Sequence, residues 1–219
     1  MVRVKICGLK TVEEVQLVAE MSGDALGVVV DISQSPRSID PEKAKDLIAV
    51  APPFLYTVAV TMPKTVDEAV SIYEVVRPDA LQVHGVPTPS LLAEIRESVP
   101  CKLIVALPLN SQAVIPWAPS TNPLDVFHAL ADYADAILVD TYVLGGSGVK
   151  SDWNHAVTIR KAFSPRPLIL AGGLTHENVA EAVRNVEPFA VDVASGVESR
   201  PGVKNPDLVR LFIRRVKGI

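Results

Sequence analysis

Eight short apolar runs separated by longer amphipathic segments constrain the fold of this chain more than any other feature of its sequence. Each run is too short and too continuously apolar for a strand with one face in water, and this pattern is typical of parallel strands buried on both faces. The predicted strands are Val2–Cys7, Ala25–Val30, Leu55–Val60, Ala80–His84, Lys102–Leu107, Ala136–Asp140, Pro167–Ala171 and Ala190–Ala194.

The segments between these strands carry helix start signals. Pro41 follows Asp40 as the first residue of a helix with an N-cap, and a second start lies within Thr175 to Asn178. Asn205-Pro206 opens the last helix, which is predicted to run to about Lys217. Strands that alternate with helices in this way predict βαβ units and a parallel sheet.

A weak internal repeat gives the number of units. Asp24-Ala25-Leu26, Asp79-Ala80-Leu81, Asp135-Ala136-Ile137 and Phe189-Ala190-Val191 place alanines at positions 25, 80, 136 and 190. Each interval contains two strand–helix units, so four intervals account for eight strands. A doubly wound open sheet also alternates strands and helices, but it has no reason to keep a two-unit period. We therefore predict an α/β chain folded as one (β/α)8 TIM barrel domain over residues 1–219.

Composition excludes several classes of partner. A formal net charge of −4 predicts no general affinity for nucleic acid, and no apolar run approaches the roughly 18 residues of a membrane span. Two cysteines and an N-terminus without an apolar signal core predict a reducing, cytoplasmic location. The sequence contains no motif that binds the phosphates of a nucleotide and no metal-ligand spacing, so we expect no cofactor and no metal. Three histidines are expected within helical segments, namely His128, His155 and His176.

Glycine-bearing turns after the last two strands suggest a phosphate site. Gly172 and Gly173 end strand seven, and Ser195 and Gly196 follow strand eight, where a short helix is predicted to start near Ser195. Glycines let backbone N–H groups approach an anion, and barrels often hold phosphate at this place. Two simple tight turns would look similar in sequence, but their position on adjacent final strands favours phosphate binding.

Cys7 and Asp140 are candidates for proton transfer. Both stand at predicted carboxyl ends of barrel strands, which is the face that carries the chemistry in barrels. A thiolate can act as nucleophile or base, and a carboxyl group at a strand end can act as an acid. The alternatives are a small buried hydrophobe and a turn cap. Cys101 begins strand five at the opposite face and is expected to be structural.

Other residues on the same face are candidates for binding. Arg37, restrained by Pro36, can bind a carboxylate through two hydrogen bonds. Gln82 and His84 end strand four, and a scaffold role for His84 is as plausible as a catalytic one. Two loops are candidate lids, Asn110 to Pro123 and the glycine run 145–148, and Asp152 is expected to cap the helix that begins at Trp153.

Five segments together resemble the phosphoribosylanthranilate isomerase family of tryptophan biosynthesis. They are Lys5-Ile6-Cys7-Gly8, Ser35-Pro36-Arg37, Gln82-Val83-His84-Gly85, Asp140 ahead of Gly145-Gly146-Ser147-Gly148, and Ala171-Gly172-Gly173-Leu174 with the run from Phe189 to Glu198. The resemblance covers nearly the whole chain. It departs from the family at Val28–Asp31, where aromatic residues are usual, at Thr61-Met62-Pro63, and in the longer segment 110–123.

The resemblance implies a cofactor-independent Amadori rearrangement of a phosphorylated aminosugar. Asp140 would protonate the furanose oxygen, Cys7 as thiolate would remove the C2 proton, and Arg37 would hold the anthranilate carboxylate. Gly172, Gly173, Ser195 and Gly196 would bind the phosphate. Substrate binding is expected also from Gln82, His84 and Asp192. The expected assembly is a monomer or a homodimer.

Four rival functions remain open at this stage. A pentose-phosphate epimerase would need paired aspartates with histidines, and an isomerase serving histidine biosynthesis as well would need aspartates on two opposed strands. An indole-glycerol-phosphate synthase would need a lysine at a strand end as its general acid, whereas Lys5 is expected to point away from the Cys7 side. A binding barrel without catalysis would need neither Cys7 nor Asp140.

Overall fold

The computed structural model describes residues 1–85, 87–108, 123–140 and 153–218. All eight predicted strands are present within it, and their ends lie within one residue of the predicted ends. They are β1 Arg3–Cys7, β2 Ala25–Val30, β3 Tyr56–Thr61, β4 Ala80–Val83, β5 Lys102–Pro108, β6 Ala136–Asp140, β7 Leu168–Ala171 and β8 Ala190–Val193.

The strands form a closed barrel. Each strand pairs in parallel with the next along the chain, and β8 pairs with β1 through Val191 and Val4. β1 also pairs with β2, where Lys5 lies opposite Ala25. A two-residue strand, Ser38–Ile39, pairs in parallel with the carboxyl-terminal end of β2. The (β/α)8 barrel prediction is therefore confirmed.

A helix follows each barrel strand. The helices are α1 Val12–Glu20, α2 Pro41–Ala49, α3 Val66–Val76, α4 Pro89–Ser98, α5 Pro123–Leu130, α6 Trp153–Phe163, α7 Val179–Val186 and α8 Pro206–Lys217.

Two predicted helix starts have the expected caps. The Asp40 carboxylate accepts the Lys43 N–H, and Asn205 accepts the N–H groups of Asp207 and Leu208.

The start of α7 differs from the prediction. Asn178 stands at the cap position, but its side chain accepts the N–H of Thr175, and α7 begins only at Val179. His176 consequently lies in the turn before α7, so its predicted place within a helix is wrong.

The repeated aspartates anchor the amino-terminal ends of the strands. Asp24, Asp79 and Asp135 each precede an even-numbered strand, and each accepts a backbone N–H from the start of the preceding strand. The donors are Val4, Thr57 and Leu103, at distances of 2.8, 2.8 and 2.9 Å. These N–H groups lie at the barrel's edge, where an unpaired polar group would be unfavourable. The repeat in the sequence thus corresponds to a repeated hydrogen bond.

The core has two layers with different side chains. Large residues such as Phe163, Phe212 and Leu81 fill the space between the barrel and its helices. Smaller groups, including Ala80, Ala106, Ala136 and Ala190, line the barrel interior. The interior also holds buried polar side chains, namely Lys5, Gln82 and Asp192. Polar groups in such a place must find partners or serve a ligand.

Some predicted features fall outside the described residues. They are residues 110–122 of the first candidate lid, the glycine run 145–148 and Asp152. Pro123, the last residue of that lid, is described and begins α5. Within the described segments, no helix combines the length and the apolar character that crossing a bilayer requires.

Candidate active site

A cavity of about 750 Å³ opens at the carboxyl ends of the barrel strands. All ten predicted site residues line it. They come from seven segments of the chain: Cys7, Arg37, Gln82, His84, Asp140, Gly172, Gly173, Asp192, Ser195 and Gly196. The fold therefore brings the predicted residues together around one space of ligand size.

Cys7 ends β1 on the inner face of the barrel and is 6% exposed. Lys5 lies on the same inner face, so the expectation that it points away from Cys7 is wrong. The reason is elementary: side chains two residues apart in a strand share a face. Lys5 is 3% exposed, and its ammonium lies 3.0 Å from the Asp192 carboxylate on β8.

Burial raises the pKa of the Cys7 thiol, although the positive charges of Lys5 and Lys204 act in the opposite direction. Burial by itself lowers the pKa of Lys5, but Asp192 and Cys7 outweigh it and raise that pKa. Lys5 therefore stays charged inside the barrel, next to a thiol that is mostly protonated at neutral pH.

Asp140 ends β6 on another side of the same cavity and is partly exposed. Around the barrel, β7 and β8 lie between β6 and β1. The candidate acid and the candidate base thus stand on separate strands, with the two glycine turns between them. This arrangement allows a bound molecule to present different atoms to each group.

Gln82 and His84 project from β4 into the cavity. The His84 N–H donates to the Thr61 carbonyl at 2.9 Å, which fixes the backbone after the strand. Gln82 Oε1 and His84 Nδ1 are buried without a hydrogen-bond partner among the described residues. Burial lowers the pKa of His84, so its ring is neutral at neutral pH. Both atoms can accept hydrogen bonds from a ligand.

The glycine turns after β7 and β8 form one corner of the cavity. Gly172 and Gly173 have φ of 90° and 63°, which disfavours other residue types. A Cβ on Gly196 would lie 1.9 Å from the Leu174 carbonyl oxygen, so the two turns pack backbone against backbone. Ser195–Val197 forms a single turn of 3-10 helix, which is the short helix predicted near Ser195.

Arg37 is held by a partner that the sequence analysis did not assign. Its Nε and Nη2 donate to the two Glu198 oxygens, both at 2.7 Å. Glu198 also accepts from Lys204 Nζ at 2.8 Å and from the Gly202 N–H at 3.2 Å. The pairing uses one side of the guanidinium and leaves the Nη1–Nη2 edge to meet a second carboxylate. Glu198 and Lys204 are the functional candidates that sequence reasoning missed.

Lys204 also reaches the glycine corner. Its Nζ donates to the Ala194 carbonyl at 3.0 Å, just before the short helix at Ser195. Burial alone raises the pKa of Glu198, but the hydrogen bonds from Arg37 and Lys204 outweigh it and hold that pKa below its ordinary value. One buried carboxylate therefore joins the arginine to the proposed phosphate corner.

Aliphatic side chains line the part of the cavity between Arg37 and β4. They are Val29, Ile32, Val60 and Met62. The departures noted at Val28–Asp31 and Thr61-Met62-Pro63 thus contribute two apolar side chains, Val29 and Met62, to the cavity wall. A flat aromatic ring fits such a wall through dispersion contacts.

Within the described part of the chain, no group of three or more His, Cys, Asp or Glu side chains is arranged so that it could hold a metal ion.

Comparison with known proteins decides the family. The family model for N-(5′-phosphoribosyl)anthranilate (PRA) isomerase matches residues 4–215. The chain belongs to this family. It is 42% identical to the N-(5′-phosphoribosyl)anthranilate isomerase of Methanothrix thermoacetophila over 220 residues, which cover 99% of each protein.

Solved structures of this isomerase family agree with the assignment. A phosphoribosylanthranilate isomerase crystallised with reduced 1-(o-carboxyphenylamino)-1-deoxyribulose 5-phosphate is 33% identical, with a TM-score of 0.82 and full coverage of both chains. Monomers generated from the dimeric isomerase of Thermotoga maritima give 31% identity and a TM-score of 0.80, again over both whole chains. The fold and the sequence thus assign the same family.

Proposed function

We propose that this protein catalyses the isomerisation of N-(5′-phosphoribosyl)anthranilate to 1-(2-carboxyphenylamino)-1-deoxyribulose 5-phosphate in tryptophan biosynthesis. The observation that carries the proposal is one cavity that contains Cys7, Asp140, Arg37 and the paired glycine turns. These groups match the substrate's chemistry: a base, an acid, a cation for the carboxylate and backbone donors for the phosphate. The proposal also treats residues 1–219 as one domain that works in the cytoplasm.

Two of the proton transfers in the reaction are assigned to residues. Asp140 donates its proton to the furanose ring oxygen while the anthranilate nitrogen lone pair forms a C1=N bond and the C1–O bond breaks. Cys7, as thiolate, then removes the C2 proton, and the C–H electron pair forms an enolamine. The enol finally becomes the ketone as C1 gains a proton and the C2 hydroxyl loses one, so the number of protons on the sugar is unchanged overall. No electrons leave or enter the molecule, so the residues need supply only proton transfer and positioning.

Binding groups surround these two steps. The outer edge of Arg37 holds the carboxylate, and the apolar wall contacts the anthranilate ring. Gln82 Oε1 and His84 Nδ1 accept hydrogen bonds from ribose hydroxyls, which would give both buried atoms a partner. Asp192 lines the cavity while paired with Lys5. The turns at Gly172, Gly173, Ser195 and Gly196 hold the phosphate with N–H groups, as helix starts and glycine nests do.

Turnover of freshly generated phosphoribosylanthranilate tests the function. Loss of anthranilate-type fluorescence is followed with purified protein, without added metal or nucleotide. We expect saturable turnover, and we expect a reduced analogue of the product to inhibit it competitively. Tight binding of that analogue by well-folded protein without any turnover would instead identify a binding barrel and overturn the isomerase proposal.

We further propose that the protein is a homodimer joined through the amino-terminal ends of the barrels. Phe54, in the connection before β3, is 98% exposed. It borders a second cavity of about 620 Å³ at that end, which Tyr56 and Phe189 also line. The lining of this cavity is mostly apolar but also includes charged residues such as Arg3 and Lys102. An exposed aromatic side chain beside such a cavity fits a two-fold interface in which each copy's Phe54 enters the other's cavity. The dimeric relative from Thermotoga maritima supports this assembly.

Replacing Phe54 by aspartate is expected to convert the dimer into a monomer that still folds, because a charge cannot enter a mostly apolar cavity without losing hydration. Light scattering coupled to size exclusion measures the mass. Leu211→Asp is the matched control, since Leu211 is a 40% exposed apolar residue on the outer helix α8. The Leu211→Asp protein should remain a dimer. A wild-type protein of monomer mass at all concentrations would contradict the assembly.

A further inference from the structure

Lys5 is a buried charge that the two proton-transfer steps do not use. Its side chain lies in the barrel interior with 3% relative exposure, and its ion-pair partner among the described residues is Asp192, at 3.0 Å. A buried lysine with a single carboxylate gains little net stability compared with a well-packed apolar pair. Such a group invites a functional explanation here, because it neighbours Cys7 and Asp192, which line the active-site cavity, while Lys5 itself borders the cavity at the amino-terminal end of the barrel.

The ammonium lies beside the Cys7 sulfur as well as beside Asp192. A Cβ built on Gly27 of β2 would be 2.9 Å from Cys7 Sγ and 3.0 Å from Lys5 Nζ, so both atoms border the same small space. The positive charge of Lys5 favours the Cys7 thiolate and so acts to lower the pKa of that thiol, against the effect of burial. The absence of a side chain at position 27 is what allows the two groups to meet.

We propose that Lys5 is a positioning residue for Cys7: its ammonium, held in place by Asp192, supplies the charge against which the Cys7 thiolate forms. The inference deepens the proposed function, because it rests on Cys7 acting as the base. An ammonium has three donor hydrogens, enough to serve a carboxylate and a sulfur at once. Asp192 keeps the lysine charged and oriented and prevents it from reaching out of the barrel.

The other charges near Cys7 do not replace Lys5. Lys204 also favours the thiolate, but its Nζ is hydrogen-bonded to Glu198 and Ala194. Arg37 interacts electrostatically with Cys7, yet it is paired with Glu198. Asp192 opposes the thiolate. Lys5 is therefore the cation that borders the same small space as the Cys7 sulfur, and its loss would leave Cys7 near a carboxylate in a poorly hydrated interior.

The test measures ionisation of Cys7 without relying on turnover. In a Cys101→Ser background Cys7 is the sole cysteine, and its alkylation by iodoacetamide is followed across pH. We compare this background with Lys5→Arg, Lys5→Met, Asp192→Asn and the double variant Lys5→Met with Asp192→Asn. The double variant removes the stranded buried carboxylate, so it remains informative if Lys5→Met alone does not fold.

Because only the thiolate reacts, we expect alkylation at neutral pH to slow about tenfold or more in Lys5→Met relative to the background and in the double variant relative to Asp192→Asn alone, since Asp192 opposes the thiolate. In Lys5→Arg the rate should stay within about threefold of the background. At high pH, where the thiol is fully ionised in all variants, the rates should converge. That convergence separates ionisation from access to the sulfur.

An alkylation midpoint that is unchanged in folded Lys5→Met, or that is the same in the double variant and in Asp192→Asn alone, would overturn the inference and leave Lys5 with a structural role. The proposed function is tested separately: a wild-type protein that does not isomerise phosphoribosylanthranilate would remove the isomerase, while the alkylation profile would still decide whether Lys5 controls Cys7.

Discussion

Cys7→Ser and Asp140→Asn are each expected to lower kcat/KM for phosphoribosylanthranilate by at least about a hundredfold, because each removes one of two required proton transfers. A serine hydroxyl is far less acidic than a thiol and forms no useful alkoxide at neutral pH. An asparagine amide carries N–H protons but is far too weak an acid to protonate the ring oxygen. Steady-state fluorescence assays measure both effects, and far-ultraviolet circular dichroism verifies the fold.

Matched controls separate these effects from general damage. Cys101→Ser changes the other cysteine, which lies just before β5 at the opposite end of the barrel, and Asp46→Asn changes an exposed carboxylate on α2. Both should keep wild-type kcat/KM. Activity within about tenfold of wild type in Cys7→Ser would contradict the role of Cys7 as base.

The pH dependence gives a second signature of the base. Burial raises the pKa of Cys7, so kcat/KM should increase from neutral into alkaline pH as the thiolate forms. Burial lowers the pKa of His84, so this histidine cannot produce an alkaline limb. The increase of kcat/KM at alkaline pH should therefore be lost in Cys7→Ser and kept in His84→Gln.

Local patterns made the barrel predictable. Eight apolar runs and a two-unit repeat require only the period of strands and helices, and each predicted strand end lies within one residue of its observed position. The repeated Asp24, Asp79 and Asp135 could be recognised in sequence, but their hydrogen bonds to the preceding strands could not. The shared location of the candidate site residues was predictable, because a barrel collects strand ends on one face, whatever their separation along the chain.

The unpredicted part of the site consists of long-range charge pairs. Arg37 and Glu198 are 161 residues apart, and Lys5 and Asp192 are 187 apart. No local pattern indicates which charges meet across a barrel. The error on Lys5 has a different origin, because strand alternation alone places it on the same face as Cys7. A correct count of two residues was the signal that could have found it.

Glu198→Gln is expected to destabilise the protein by about 3 kcal/mol, the typical effect of removing one partner from a buried ion pair. Glu198 and Lys204 have side chains only 4% and 1% exposed, so the substitution would leave the lysine charge buried beside a neutral amide. Arg37 would lose its two hydrogen bonds and its fixed orientation, so KM should rise as well. Urea unfolding at neutral pH measures the stability.

Glu187→Gln is the matched control. Glu187 has a 72% exposed side chain that lies 3.4 Å from Arg160, and solvent-exposed pairs of this kind contribute less than about 1 kcal/mol. The double variant Glu198→Gln with Lys204→Met should recover part of the loss, because it removes the stranded charge. Equal stability of Glu198→Gln and Glu187→Gln would contradict the role of the buried network.

The same pair predicts how stability depends on pH. Arg37 and Lys204 hold the pKa of Glu198 below its unfolded value, so the folded protein binds this proton more weakly than the unfolded chain. The stabilisation is therefore fully present above the ordinary glutamate pKa and is lost as the pH falls through the lower, folded value. Wild-type unfolding free energy should decline in that acidic range, and Glu198→Gln, which cannot titrate there, should show a shallower decline. Parallel declines in the two proteins would mean that other carboxylates control acid unfolding and that the Arg37–Glu198–Lys204 network contributes little to it.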